Sequence, residues 1–284
     1  PLWHKAVLLA FALHPYLVGI CRASTFVPLG IVLSCLLLWC VAEYVHRPRF
    51  RTVVGLGLLT GMLALTHGTF ILLLGLLPLW CRPRWAHGLL GLGVALLTLL
   101  PWTLWNAHTH GQCIPVATGA GIQYWKGRAW LAHTPDLEYR VYRTHTGKPL
   151  RQTYFGPDAP ADDALLLQLA VADVQLAPLA YAASTAHSYA LFWLPNDRSP
   201  WKQALTWLLN LPLLALAAWL LVRGWPRWWR HPLGAPLTLW WAGLPLAFAA
   251  LAAITGYFIV LLPLLLAWVG MGLSARTQPQ SIVS

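Results

Sequence analysis

Two cations follow two aromatic rings in the run Gln123-Tyr124-Trp125-Lys126-Gly127-Arg128. Lys126 and Arg128 suit a phosphate, which ammonium and guanidinium groups hold by charge-assisted hydrogen bonds, although a solvated surface pair has the same appearance. Tyr124 and Trp125 suit the wall of a binding groove or an anchor at a membrane surface. Asn106 closes an aromatic segment, Pro101-Trp-Thr-Leu-Trp-Asn106, where its amide could cap a helix or bond a phosphate. His67 stands next to Gly68 at a break between apolar runs, as a packed polar turn or a weak phosphate contact. Asp136 and Glu138, two residues apart, raise metal or acid–base chemistry. His108 and His110 raise metal ligation, but lack a third ligand and a helical register. Arg22 could meet a phosphate or a headgroup. No phosphate-loop, HExxH, CxxC or GxSxG pattern is present.

These residues sit in a chain that water cannot accommodate. Of 284 residues, 58% are hydrophobic and 10% charged, against about 45–50% and about 25% in soluble domains. Mean hydropathy is +0.59. A core of this size cannot hide so much apolar surface, so the excess faces lipid. The formal charge of +11 is no nucleic-acid signal, because Arg clusters at the ends of apolar runs, in EYVHRPRFR (43–51), CRPRW (81–85) and RGWPRWWRH (223–231). The five cysteines give no disulfide framework. Of the 18 Trp, Trp39, Trp80, Trp85, Trp201, Trp225, Trp228 and Trp229 fall near run ends, as an interfacial belt requires.

Apolar runs near 6–21, 23–42, 86–105, 202–222, 233–252 and 254–273 each approach the roughly 20 residues that cross a bilayer. The run 53–80 is longer and is interrupted at Thr66-His67-Gly68-Thr69. Two half-length helices folded back would keep both flanking basic loops on one side, with a single tilted helix as the alternative. Gly57 and Gly61 have the spacing of close helix packing. The expected fold is an all-α polytopic bundle of about 7–8 membrane helices with one large extracytoplasmic loop. Membrane helices occupy 1–105, the loop 106–200, three further helices 201–274 and a cytoplasmic tail 275–284. Within the loop, 106–157 lacks periodicity and reads as ordered but irregular. An amphipathic helix at 161–177 follows, lying flat at the interface. Asp162 and Asp163 sit in its first turn, where acids favour the dipole. Leu165, Leu169, Ala172 and Leu176 share one face, and Pro178 ends or kinks it.

Several segments, in order, resemble a known family. Leu100 to Asn106 (LPWTLWN), Gly111 to Thr118 (GQCIPVAT) and Gly119 to Gly127 (GAGIQYWKG) resemble the "PWxxRN", "G…PVST" and "GGYNLWxGN" segments of bacterial protein-mannosyltransferase-like enzymes. That is the glycosyltransferase family 39-like branch of the GT-C superfamily. Gly61 to Thr69 (GMLALTHGT) is similar to its "GLAALTRPT" turn, 161–193 to its helix leading to an aromatic "FW", and Tyr257 to Pro263 (YFIVLLP) to its "RYxxPxxP" helix start. Trp105, His67 and Gly256 stand where the family carries Arg.

The resemblance implies an inverting transfer of a sugar from a polyprenyl-phosphate donor to a lipid, glycan or protein acceptor at the extracytoplasmic face of a bacterial inner membrane. Such chemistry needs a carboxylate for the acceptor hydroxyl and cationic or polar groups for the leaving phosphate. Tyr124, Trp125, Lys126, Arg128, Asn106 and His67 are the candidates for binding. The family's key acid lies in its first outer loop, so the resemblance expects it before Pro1, and expects residues 1–284 to be inactive alone. The cofactor is undetermined, a divalent metal being one option; membrane lipid is a partner and nucleic acid is not. The rival reading is a non-catalytic membrane protein, such as a transporter, flippase-like subunit or scaffold, or a degenerate family member.

Overall fold

The computed structural model describes residues 27–82, 84–117, 119–131, 136–148, 156, 158–194, 200–230 and 237–251, with 261–262, 265–266 and 269. The described residues are mostly helical, and none of them forms a strand. The expected runs at 6–21 and most of 254–273 lie outside them, as do Arg22 and Gly256.

Helix α1, Val27–His46, buries Val27, Ile31, Ser34, Leu37, Val41 and Tyr44, a spacing of three and four that makes one stripe. Leu29, Val32, Leu36 and Trp39 on the other side remain exposed. Helix α2, Phe50–Thr66, packs beside it and ends at His67, whose backbone is extended (φ −158°, ψ 128°). The chain continues as a 3-10 segment, Gly68–Leu76, and a single turn, α3, Leu77–Trp80. The run 53–80 is thus two short pieces around His67. They double back: α3 ends next to the start of α2, since Cys40 Sγ on α1 contacts Thr52 O at 3.4 Å and Tyr44 Oη meets His87 Nδ1, just beyond α3, at 2.9 Å. Both flanking basic loops therefore share one end of the molecule.

Helix α4, Trp85–His110, crosses α2 at its glycines. A Cβ at Gly57 would lie 2.4 Å from Gly91 O, and one at Gly61 would lie 2.7 Å from Thr98 Cβ. Apolar burial drives little association between helices in lipid, so close van der Waals approach has to supply it, and small residues permit that approach. Further along the chain come α5, Ala120–Leu131; α6, Asp136–Thr146; α7, Ala159–Leu176; α8, Pro178–Trp193; and α9, Pro200–Arg230. A π-helical turn, Leu239–Gly243, then leads into α10, Leu244–Leu251. The α8 helix returns to the bundle, where Tyr181 Oη donates to Ala250 O at 3.1 Å and Asn210 Nδ2 of α9 donates to Trp193 O at 2.6 Å.

Among the described residues, three helices are long and apolar enough to cross a membrane: Val27–His46, Trp85–His110 and Gln203–Arg223. The α7–α8 pair meets the same standard as a unit but bends by 108° at Ala177, as Pro178 requires. Two features differ from the sequence reading. The stretch 106–157 holds two helices, α5 and α6, rather than irregular structure. In α7 the buried face carries Asp162, Asp163, Leu166 and Ala170, while Leu165, Leu167, Val171 and Leu176 are exposed. Two acids thus share the inward face with Leu166 and Ala170, while several apolar side chains face outward.

Gly57→Ala is expected to destabilise the bundle by about 1–3 kcal/mol through overpacking, outweighing the ~1 kcal/mol gained in helix propensity. Gly91→Ala meets nothing nearer than Val53 O at 3.6 Å and should be neutral or better. Unfolding of the two variants in detergent micelles checks this, and equal stabilities would contradict the packing account.

Candidate functional site

The end of α4 is stitched to the loop that follows it. Trp102 Nε1 donates to Val116 O, Thr103 Oγ1 lies 3.2 Å from Pro115 O and Asn106 Nδ2 donates to Ile114 O at 3.0 Å. Three side chains near the end of one helix thus hold three successive carbonyls. Asn106 is buried and serves this clamp; the helix continues past it to His110 and ends on Gly111, whose φ of 65° gives the left-handed turn of a C-terminal cap. His108 and His110 lie exposed in that last turn.

Helix α5 begins where the clamp releases the chain, and its first amides are held from far along the sequence. Asp163 Oδ2 accepts from Gly119 N at 2.8 Å and Asp163 Oδ1 from Ile122 N at 3.0 Å. A carboxylate at a helix start satisfies free N–H groups and opposes the positive end of the dipole. The contact needs glycine twice: Gly119 adopts φ 125°, and a Cβ on Gly121 would lie 2.4 Å from Leu167 N. Trp125 Nε1 donates to Leu166 O at 3.1 Å, and Tyr142 Oη from α6 donates to Ile122 O at 2.8 Å, closing a small core of Ile122, Tyr142 and Leu166. Asp162 points elsewhere: Lys148 Nζ bonds it at 2.9 Å and Asp158 at 3.2 Å. Each acid at the start of α7 therefore holds another element as well as its own dipole.

The other side of α5 carries the remaining candidates. Tyr124 is 5% exposed and donates a short hydrogen bond to Asp173 Oδ2. Arg128 Nη2 lies 3.3 Å from the same oxygen, and its Nη1 lies 3.4 Å from Ser184 Oγ. Tyr181 stacks near Tyr124, at 6.2 Å between centroids. One carboxylate thus gathers a phenol, a guanidinium and, through the latter, a hydroxyl from three helices. Burial, reinforced by Asp173 as acceptor, pushes the Tyr124 phenol far above its ordinary range, so it remains a donor. Lys126, between these residues and facing outward, is exposed and has no ion pair among the described residues.

The structure therefore joins Tyr124, Trp125, Lys126 and Arg128 on α5 and links them to Asn106 through the clamped loop. His67 lies apart, at the α2 break, where Nδ1 accepts from Thr69 N at 3.4 Å and the ring meets Phe70 edge-on. Trp105 is 61% exposed on α4. Asp136 and Glu138 belong to the first turn of α6. No group of three or more His, Cys, Asp or Glu side chains suited to a metal occurs among the described residues. Comparison with known protein families, with characterised proteins and with solved structures finds no match.

Sequence reasoning missed Asp163, Asp173, Tyr181 and Ser184 as site-building residues. Asp173 carried one signal. It sits in an apolar helix with no cation within four residues on either side, so an acid there needs a partner from another element.

Asp163→Ala leaves the Gly119 and Ile122 amides without their acceptor. It is expected to cost about 1–3 kcal/mol and to speed hydrogen exchange across α5 while α1 to α4 exchange as before; uniform change in both regions would refute a local role. The pH dependence has a definite sign. Tyr124 is raised in the folded state, so its stabilisation is complete below pH 10.0, the ordinary tyrosine value, and is lost as pH rises from there. Lys148, raised by its bonds to Asp162 and Asp158, acts in the same direction above 10.5. Thermal midpoints on either side of pH 10.0 should fall in the wild type and fall less in Tyr124→Phe; parallel curves would exclude Tyr124 as a source.

Proposed function

We propose that this chain is part of a polytopic membrane glycosyltransferase of the GT-C type, with about 7–8 membrane helices in a bacterial inner membrane. Its reaction passes a sugar from a polyprenyl-phosphate donor to a lipid, glycan or protein acceptor at the extracytoplasmic face. The observation that carries this reading is the continuity of three family-like segments. LPWTLWN, GQCIPVAT and GAGIQYWKG follow one another in sequence, and the first holds the second by three side-chain bonds, which delivers the third to the Asp163 cap.

In this reading Lys126 meets the donor phosphate, because it is the exposed cation of α5 and its charge is not neutralised by a neighbouring carboxylate. Arg128 shares its charge with Asp173 and acts on the donor through the shape of α5. Tyr124 and Trp125 fix the helix that presents Lys126. The leaving group is the polyprenyl phosphate: the acceptor oxygen bonds to the anomeric carbon from the side opposite the phosphate as the carbon–oxygen bond to the phosphate breaks, and the acceptor proton goes to a carboxylate base.

One observation favours the rival, a non-catalytic or degenerate member. Trp105 replaces a family Arg and faces outward, while His67 replaces another and engages Thr69. The natural full-length protein, reconstituted with a polyprenyl-phosphate sugar, separates the two. Transfer is expected, reduced about tenfold or more by Lys126→Gln, since a charge-assisted bond contributes about 1.5–3 kcal/mol. Wild-type rates in both Lys126→Gln and Tyr124→Phe would remove the site, and absence of donor binding by the wild type would favour the rival.

A further inference from the structure

The tripeptide Arg-Pro-Arg occurs twice, as Arg47-Pro48-Arg49 between α1 and α2 and as Arg82-Pro83-Arg84 between α3 and α4. The fold brings the two copies to one end of the molecule. Tyr44, three residues before the first copy, meets His87, three residues after the second, at 2.9 Å. Arg49 and Arg84 immediately precede α2 and α4, and neither helix has an acid in its first turn.

Arg47, Arg49, Arg51, Arg82 and Arg84 are all exposed. Glu43 is the acid nearby, half-buried on α1, and the ion pairs of Arg128 and Lys148 lie away from this end. His46 and His87 add no negative charge. Every cation in the two loops is Arg rather than Lys, apart from those histidines. A loop that needs only positive charge to remain on one side of a membrane is served equally by lysine. Guanidinium offers more: a planar fork that matches two oxygens of one phosphate, and weaker hydration. Pro48 fixes one backbone angle between Arg47 and Arg49 and so limits their relative positions. Exposed Trp39, Phe50 and Trp85 surround this end, as rings do at headgroup depth, and Arg82 lies over the Trp85 ring at 5.6 Å.

We infer that the paired Arg-Pro-Arg loops form a binding site for the phosphates of anionic glycerophospholipids in the leaflet at this end. The site is independent of the transfer reaction proposed above. It takes lipid rather than free phosphate because the aromatic rim and the exposed apolar faces of α1 and α4 receive acyl chains directly beneath the guanidinium groups.

The test uses the full chain, purified and delipidated in detergent, with cardiolipin, phosphatidylglycerol and phosphatidylcholine as probes and bound lipid measured by mass spectrometry. Preferential retention of the two anionic lipids is expected. Binding should weaken roughly fivefold for each arginine removed in Arg49→Gln and Arg84→Gln, and remain unchanged in Arg143→Gln, an exposed arginine of α6. The pair Arg49→Lys with Arg84→Lys keeps both charges and should bind between wild type and the glutamine pair; it decides the matter if the glutamine pair fails to fold. Equal retention of phosphatidylcholine, or wild-type binding by whichever pair is folded, overturns the inference. Displacement of cardiolipin by inorganic phosphate would overturn it too, since a site for soluble phosphate needs no rim.

Discussion

Helices α2 and α4 meet where Gly57 and Gly61 leave no room for even a methyl group. Other placements in the membrane part follow from this contact. Because α4 lies against α2, the 3-10 segment after His67 must return along the same pair, and Gly88 accepts Pro78 at a distance only glycine allows, with a built Cβ 2.5 Å from Pro78 Cα. That return carries Cys81 back to Tyr44 and sets the second basic loop next to the first. It also fixes where α4 points, and hence where its last turns hold the chain for α5. In lipid, where burying a leucine gains little, a seam of small residues is an effective way to set such an arrangement.

Beyond α4 the organising force changes from close packing to charge and hydrogen bonding. Two aspartates of α7, ten residues apart, both reach α5: Asp163 holds its first amides and Asp173 holds Tyr124 and Arg128 further along. Two ties at different points along α5 hold the helices side by side. The elbow at Ala177 then leaves Leu176 and Leu179 as its most exposed apolar residues, 87% and 85%. An apolar edge of that kind belongs in acyl chains rather than in water.

Much of the membrane part is legible in the sequence because lipid imposes a simple rule: long apolar runs, basic ends, aromatic borders. The break at His67 can be read from Thr66-His67-Gly68-Thr69, and the close packing from Gly57 and Gly61. The helices α5 and α6 cannot. Gly119 and Gly121 look like loop residues in the sequence, and their helix is capped by a carboxylate more than forty positions away, a contact that periodicity does not register. The face of α7 escapes sequence logic for a different reason. Apolar residues usually mark the buried side, but here Asp162 and Asp163 face protein beside Leu166, while Leu165, Leu167 and Leu176 face outward. Asp162 and Asp163 look like local dipole charges, and local logic has no access to Lys148 or to the amides of α5.

The Asp163 cap bears on how the protein is made. The amides at Gly119 and Ile122 leave the ribosome 44 and 41 residues ahead of the carboxylate that will receive them. At about 5–20 residues per second, α5 waits roughly two to nine seconds without its acceptor. Throughout that interval Gly121 has no α7 to lie against and Tyr124 has no Asp173. The segment must stay unaggregated and reach its final side of the membrane before its partner exists.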